Sequence, residues 1–134
     1  MSLHTSADCT QPETRDMKGT ASYTNCDANG PMGNQGCGVV SDSPTSIGPN
    51  FNQGGGGWYA VQRTESFIKV WQWSRDDPNV PNDVKNSLGS VSPSQWGTPT
   101  AHFVSDSCNL AQKFGPNKFI IVRGFAPTEP SDTR

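Results

Sequence analysis

Apolar and polar residues alternate most clearly in two neighbouring stretches of the chain. In Trp58 to Arg63, Tyr59, Val61 and Arg63 fall on one side and Trp58, Ala60 and Gln62 on the other. In Phe67 to Arg75, Ile68 and Val70 lie opposite Phe67, Lys69, Trp71, Trp73 and Arg75. A period of two is the signature of a strand with one face buried. Thr64-Glu65-Ser66 is short enough to join the two as a hairpin. His102 to Ser105 and Lys118 to Val122 are further strand candidates. Helical signals are confined to two short stretches, Asp83 to Leu88 and Asn109 to Phe114. Val40 to Gln53 and Asp76 to Gln95 read as long loops, and the final APTEPSDTR as a disordered tail. No internal repeat is present. The pattern predicts an all-β, loop-rich domain.

Composition narrows this reading. The 134 residues suit one domain. Hydrophobic residues make up 31%, and even with the 14 glycines added the apolar share stays under the roughly 45–50% usual for globular domains. A thin core with many turns is the consequence. Net charge is −2, and the ten Lys and Arg are scattered, so no basic stripe offers itself to nucleic acid. The longest apolar run, residues 119–122, is far too short to cross a bilayer. Met1-Ser2-Leu3-His4-Thr5 lacks the basic start and apolar stretch of a signal peptide.

Cys9, Cys26, Cys37 and Cys108 permit three disulfide pairings, among which spacing alone does not choose. No Cys-x-x-Cys occurs and the spacings fit no zinc ribbon or finger, so no metal site is expected. Cys26 and Cys37 bracket a Gly/Asn loop with little else to hold it. A disulfide framework, and hence an oxidising, extracellular setting, is the better reading.

Little in the chain suits catalysis. A retaining glycosidase needs two carboxyl groups about 5–5.5 Å apart. The close pairs here, Glu13 with Asp16, Asp76 with Asp77 and Glu129 with Asp132, sit in polar turn or tail segments with nothing apolar to raise a pKa. Gly-x-Ser-x-Gly is absent, and His4 and His102 are the only histidines. Gly54 to Gly57 lacks the Lys-Ser/Thr that a phosphate loop needs, so no nucleotide cofactor is expected. That run reads instead as a turn leading into a half-buried strand. The aromatics are more informative. Trp71 and Trp73 project from one face between Lys69 and Arg75, an arrangement that suits a sugar ring and equally suits burial against a second layer.

A series of segments in order then carries a resemblance: LHTSADCTQP, GTASYTNCDANG, GNQGCGV, FNQGGGGWYAVQRTESFIKVWQWSR, VPNDV, WGTPTAHF and CNLAQKFGPNKFII. Together they resemble the fungal laminarinase-like endo-1,3(4)-β-glucanases of glycoside hydrolase family 16, from about Leu3 to Val122. The resemblance implies a secreted jelly-roll β-sandwich that cleaves β-glucan with retention, in a cleft across its concave sheet. It also implies departures. The family's Glu-x-Asp-x-x-Glu strand precedes the segment resembling Leu3 to Ser6, so no residue here inherits a catalytic role. The family's Glu-Trp is Gln62-Arg63. Beyond Val122 the match lapses, and a cysteine expected there is missing, which leaves Cys108 without its family partner.

The expectation is therefore a partial sandwich over residues 1–122 followed by a divergent tail over 123–134. As a function it implies a non-catalytic glucanase fragment with weak β-glucan contact through His4, Trp71, Trp73, Arg75 and Trp96. Two alternatives stand beside it: a secreted fungal interaction or immunomodulatory protein on a glucanase-derived scaffold, and one half of a split glucanase. Strands without neighbours expose unpaired backbone groups, so self-association or pairing with complementary strands is expected.

Overall fold

The computed structural model describes residues 1–86 and 89–120. Two three-stranded antiparallel sheets face one another. The first has the order β1 (Ser2–Leu3), β3 (Cys37–Val40), β2 (Thr20–Ala21); the second runs β4 (Gly57–Arg63), β5 (Phe67–Ser74), β6 (Ala101–Val104). Three short helices, α1 (Gly48–Gln53), α2 (Asn82–Lys85) and α3 (Leu110–Lys113), and a 3₁₀ turn at Pro93–Gln95 lie in the connections. This is the all-β architecture the alternation predicts and the partial sandwich the resemblance implies.

The β4–β5 hairpin forms as expected, with Trp58 opposite Trp73, Ala60 opposite Trp71 and Gln62 opposite Lys69. Thr64 closes it: its N–H donates to the Phe67 carbonyl (2.9 Å), and its hydroxyl oxygen accepts from the N–H groups of Ser66 and Phe67. Residues opposite one another share a face, so the register splits the sheet's side chains into two sets. Ile68, Val70, Ala101 and Phe103 face the first sheet. There they join Val39, Leu110 and all four cysteines in the inter-sheet core. Trp58, Ala60, Trp71 and Trp73 form the other face and are covered by Val80, Val84 and Trp96 from the long connection after β5.

The disulfides are Cys9–Cys108 and Cys26–Cys37. Cys108 is thus not left unpaired, and the doubt raised by the missing family cysteine is corrected: Cys9 takes its place. The Cys26–Cys37 bond closes the Gly/Asn loop.

Two further expectations need correction. Val40 to Gln53 is not all loop, because α1 occupies its end. Its signal is weak: it is six residues long and has no side-chain cap, with Pro49 in its first turn. What defines it is its C-terminus. The Gly55 N–H donates to the Asn52 carbonyl and the Gly56 N–H to the Phe51 carbonyl, the paired bonds of a Schellman cap. Gly55 and Gly56 have φ of 76° and 82°, conformations in which a side chain would be strained. Gly57 has a different reason: a Cβ there would lie 2.1 Å from the Trp73 carbonyl oxygen. The four-glycine run is a helix stop followed by a close strand approach. The second correction is that Lys118 to Ile120 form no strand, and Phe119 and Ile120 are exposed. Ile121, Val122 and the 123–134 tail lie outside the described residues.

Candidate functional site

Of the five residues singled out for glycan contact, the structure brings four into one region and leaves the fifth elsewhere. Trp71, Trp73 and Trp96 pack edge to face, with ring centroids 5.1 Å (Trp71–Trp96) and 6.1 Å (Trp73–Trp96) apart and planes near 90°. All three are buried, Trp96 the least so at 9% exposure. Burial of an indole is stable when its N–H finds an acceptor. Trp71 Nε1 donates to the Gly97 carbonyl (3.0 Å), and Trp96 Nε1 to both carboxylate oxygens of Asp83 (3.1 Å each). Between the two readings of Trp71 and Trp73, the geometry is that of packing.

Asp83 is the clamp of this cluster. Besides Trp96 it accepts from the N–H of Ser92 (2.7 Å) and of Val84 (3.0 Å). These bonds, the Ser92 amide foremost, hold its pKa below the usual carboxylate value. A carboxylate so committed to holding a loop onto the indoles is an acceptor, not an acid.

Arg75 marks the exposed rim. Its guanidinium lies 4.2 Å from the centroid of the half-buried Trp58 ring, and its Nε donates to the Gly55 carbonyl (3.1 Å). A planar cation stacked on an indole is worth about 0.5–1 kcal/mol at an exposed site. Next along the same face come Gln62, Lys69, Phe67 and His102, with Lys69 Nζ 4.8 Å from the Phe67 centroid. His4 is apart from all of these. It follows β1, and its Nδ1 lies 2.8 Å from Asn34 Oδ1 in the Cys26–Cys37 loop.

Sequence reading missed Trp58 and Asp83. For Trp58 the signal was present: a hairpin closed at Thr64–Ser66 places it opposite Trp73 and so on the indole face. For Asp83 nothing local points to a partner thirteen residues away. Among the described residues no cluster of His, Cys, Asp and Glu is arranged to hold a metal ion. Nor is any helix there long and apolar enough to cross a membrane. Among the described residues, none of the strands carries an Asp or Glu.

The chain is similar to several fungal proteins. It is 41% identical over 124 residues to a "Probable endo-1,3(4)-beta-glucanase" of Neosartorya fischeri, which covers 92% of this chain and 18% of that protein. It is 34% identical to a "Probable glycosidase" of Schizosaccharomyces pombe, over 90% of this chain and 28% of the other. Among solved structures it superposes, at TM-score 0.83 and 47% identity, on the GH16 laminarinase 16A of Phanerochaete chrysosporium. That structure has two β-glucans (6-O-glucosyl-laminaritriose) in its donor and acceptor sites, and the match covers 86% of this chain and 38% of that one. An elongating GH family 16 β-1,3-glucosyltransferase matches at TM-score 0.73 and 34% identity, over 87% and 36% of the two chains. The chain therefore spans less than a fifth of the first of these relatives and under two fifths of the laminarinase. The family model described as "XgeA-like, catalytic GH16 domain" matches residues 1–126, and with the two facing antiparallel sheets this establishes that the chain belongs to glycoside hydrolase family 16.

Proposed function

We propose that this chain is a glucanase-type scaffold that contacts β-glucan weakly and does not cleave it. The observation that carries the reading is the absence of any carboxylate from the strands described above. Retaining hydrolysis of a glycosidic bond requires one carboxylate as nucleophile and a second as acid/base, both held rigidly beside the sugar. On the indole face, β4, β5 and β6 instead supply Trp58, Ala60, Gln62, Phe67, Lys69, Trp71, Trp73, His102 and Val104. Asp83, which reaches that face through the Trp96 indole, is occupied by Trp96 and Ser92.

Glucan contact is assigned to the rim, not to the buried triad. Trp58 offers a half-exposed ring with the Arg75 guanidinium above it, and the laminarinase to which the chain is 47% identical holds β-glucans. Trp71, Trp73 and Trp96 act beneath this rim by fixing its position. The two disulfides fit an extracellular setting.

Affinity electrophoresis in laminarin-containing gels tests the contact. The chain is expected to be retarded, and Arg75→Ala to weaken the retardation about two- to fivefold, the equivalent of one exposed stacked cation. Migration unaffected by laminarin would contradict the contact. Reducing sugar released from laminarin by the purified chain would contradict the absence of cleavage.

A further inference from the structure

We propose that Asn29, in the loop closed by Cys26–Cys37, is a site of slow covalent self-modification that turns it into aspartate and isoaspartate. Glucan contact plays no part in it. The chemistry is a ring closure between neighbouring residues. The backbone nitrogen of Gly30 attacks the Asn29 side-chain carbonyl carbon and gives up its proton. A C–N bond forms, the side-chain amide leaves as ammonia, and a five-membered succinimide results. Water then opens the ring. Attack at the side-chain carbonyl gives aspartate, and attack at the main-chain carbonyl gives isoaspartate, in which the backbone runs through the former side chain. One water enters and one ammonia departs, so neither oxidant nor reductant is needed.

Sequence and structure single out this position. Asn29 is the one asparagine of the chain that precedes a glycine; every other is followed by a residue whose side chain crowds the attacking nitrogen. Gly30 has no such group and turns freely about its backbone bonds. Asn29 is also exposed, and among the described residues its side-chain amide makes no hydrogen bond. Its neighbours in the loop are occupied. Asn25 Oδ1 accepts from the Asp27 N–H (2.9 Å), and Asn34 Oδ1 lies 2.8 Å from His4 Nδ1.

The backbone leading into the site is fixed and the backbone leading out is not packed. The Ala28 N–H donates to the Thr5 carbonyl (2.9 Å), and the Asn29 N–H to Asp27 Oδ1 (2.9 Å). The attacking Gly30 N–H is held by the Asp27 carbonyl at 3.2 Å, the long end of the range for such bonds. Ring closure must open that bond, and one neutral hydrogen bond in a surface loop slows the step by about tenfold at most. Past Gly30, residues 31–35 are all exposed, so no packing resists the rotation that brings the nitrogen to the side chain. Both reacting atoms lie in consecutive residues of a loop that the chain closes on itself. Strands outside the chain's span therefore neither build the site nor complete it. Conversion makes the net charge of −2 one unit more negative, and the Cys26–Cys37 bond keeps the altered loop attached.

Incubation of the purified chain at mildly alkaline pH, followed by peptide mapping and labelling with isoaspartyl methyltransferase, tests this. The mass gain of one amide-to-acid exchange is expected in the peptide bearing Asn29 before any other. Its rate in the folded chain should lie within about tenfold of the rate in the reduced, unfolded chain. Gly30→Ala should slow conversion about tenfold or more and leave the circular dichroism spectrum unchanged, because the φ of Gly30 is not left-handed and the added Cβ meets the Asp27 carbonyl oxygen at 3.2 Å. Asn29→Gln, which would need a larger ring, should remove the label. A folded chain more than about tenfold slower than the unfolded one would overturn the proposal, since the turn would then protect Asn29. So would conversion that begins at another asparagine, or a rate indifferent to Gly30→Ala.

Discussion

The two edges of the second sheet solve the same problem differently. β6 ends the sheet against the segment running from Cys9 to Gly19, whose side chains and backbone stand in for a missing strand. β4 ends it against nothing among the described residues. The capped edge is built from a buried glutamine, a half-buried arginine stacked 5.4 Å from the Phe103 ring centroid, and a disulfide that anchors both ends of the arrangement. The bare edge is built from Trp58, Tyr59, Ala60 and Val61. An edge strand is safe where its polar groups are occupied and exposed to association where they are not.

The contrast can be broken most severely at the Cys9–Cys108 disulfide, which ties the capping segment to the turn after β6. Its sequence separation is 99 residues, against 11 for Cys26–Cys37. Crosslinks constrain the unfolded chain more when the loop is longer, about 4.7 kcal/mol for 100 residues against about 3 for 15. Replacing both Cys9 and Cys108 by Ser is therefore expected to lower stability by about 2–5 kcal/mol. Replacing Cys26 and Cys37 should cost less. Urea unfolding followed by tryptophan fluorescence gives both numbers, and equal costs would show that loop length is not the deciding factor.

Next in size is Gln11→Ala. It leaves the Val104 N–H and carbonyl without partners at a protected edge, a loss of about 1–3 kcal/mol. The same urea titration reads it. A change within about 0.5 kcal/mol, the usual range for surface substitutions, would mean that water replaces Gln11 at no cost and the cap is not one.

The smallest expected effect is on pH dependence. His102 lies on β6 beside the cap, and its pKa is depressed, first by burial and then by Lys69, with Arg15 acting the same way and Asp16 opposing. A histidine held neutral in the fold binds protons more readily when unfolded, so its contribution is complete above the unfolded value near 6.5 and is lost as pH falls below it. Stability should decline between pH 7 and 5, and less steeply in His102→Gln. An unchanged slope in that variant would assign the decline to other groups.

How much of this was legible beforehand divides along the same line. The hairpin and the two sets of side chains on its faces followed from alternation in residues 58–75, because a half-buried sheet imposes period two directly on the sequence. The resemblance supplied the sandwich. The capped edge was hidden, since Gln11 and Arg15 reach β6 across some ninety residues of chain and leave no local pattern. Strands β1 and β2, two residues each, are too short for any period to register. The roles of Trp71 and Trp73 turned on Trp96 and the Asp83 clamp, which belong to a stretch that reads as loop. His4 looked equal to the tryptophans by residue type, but the fold ties it to Asn34, away from them. Pairing of Cys9 with Cys108 was open by count and is decided by the same long-range packing that makes the cap.

Residue-resolved amide hydrogen exchange tests the asymmetry of the edges most directly. The account predicts that the Val104 amide of β6, held by Gln11, is protected, while the outward amides of Gly57–Arg63 exchange rapidly. Outward β4 amides as protected as Val104, or a Val104 amide exchanging as fast as the outward β4 amides, would contradict it.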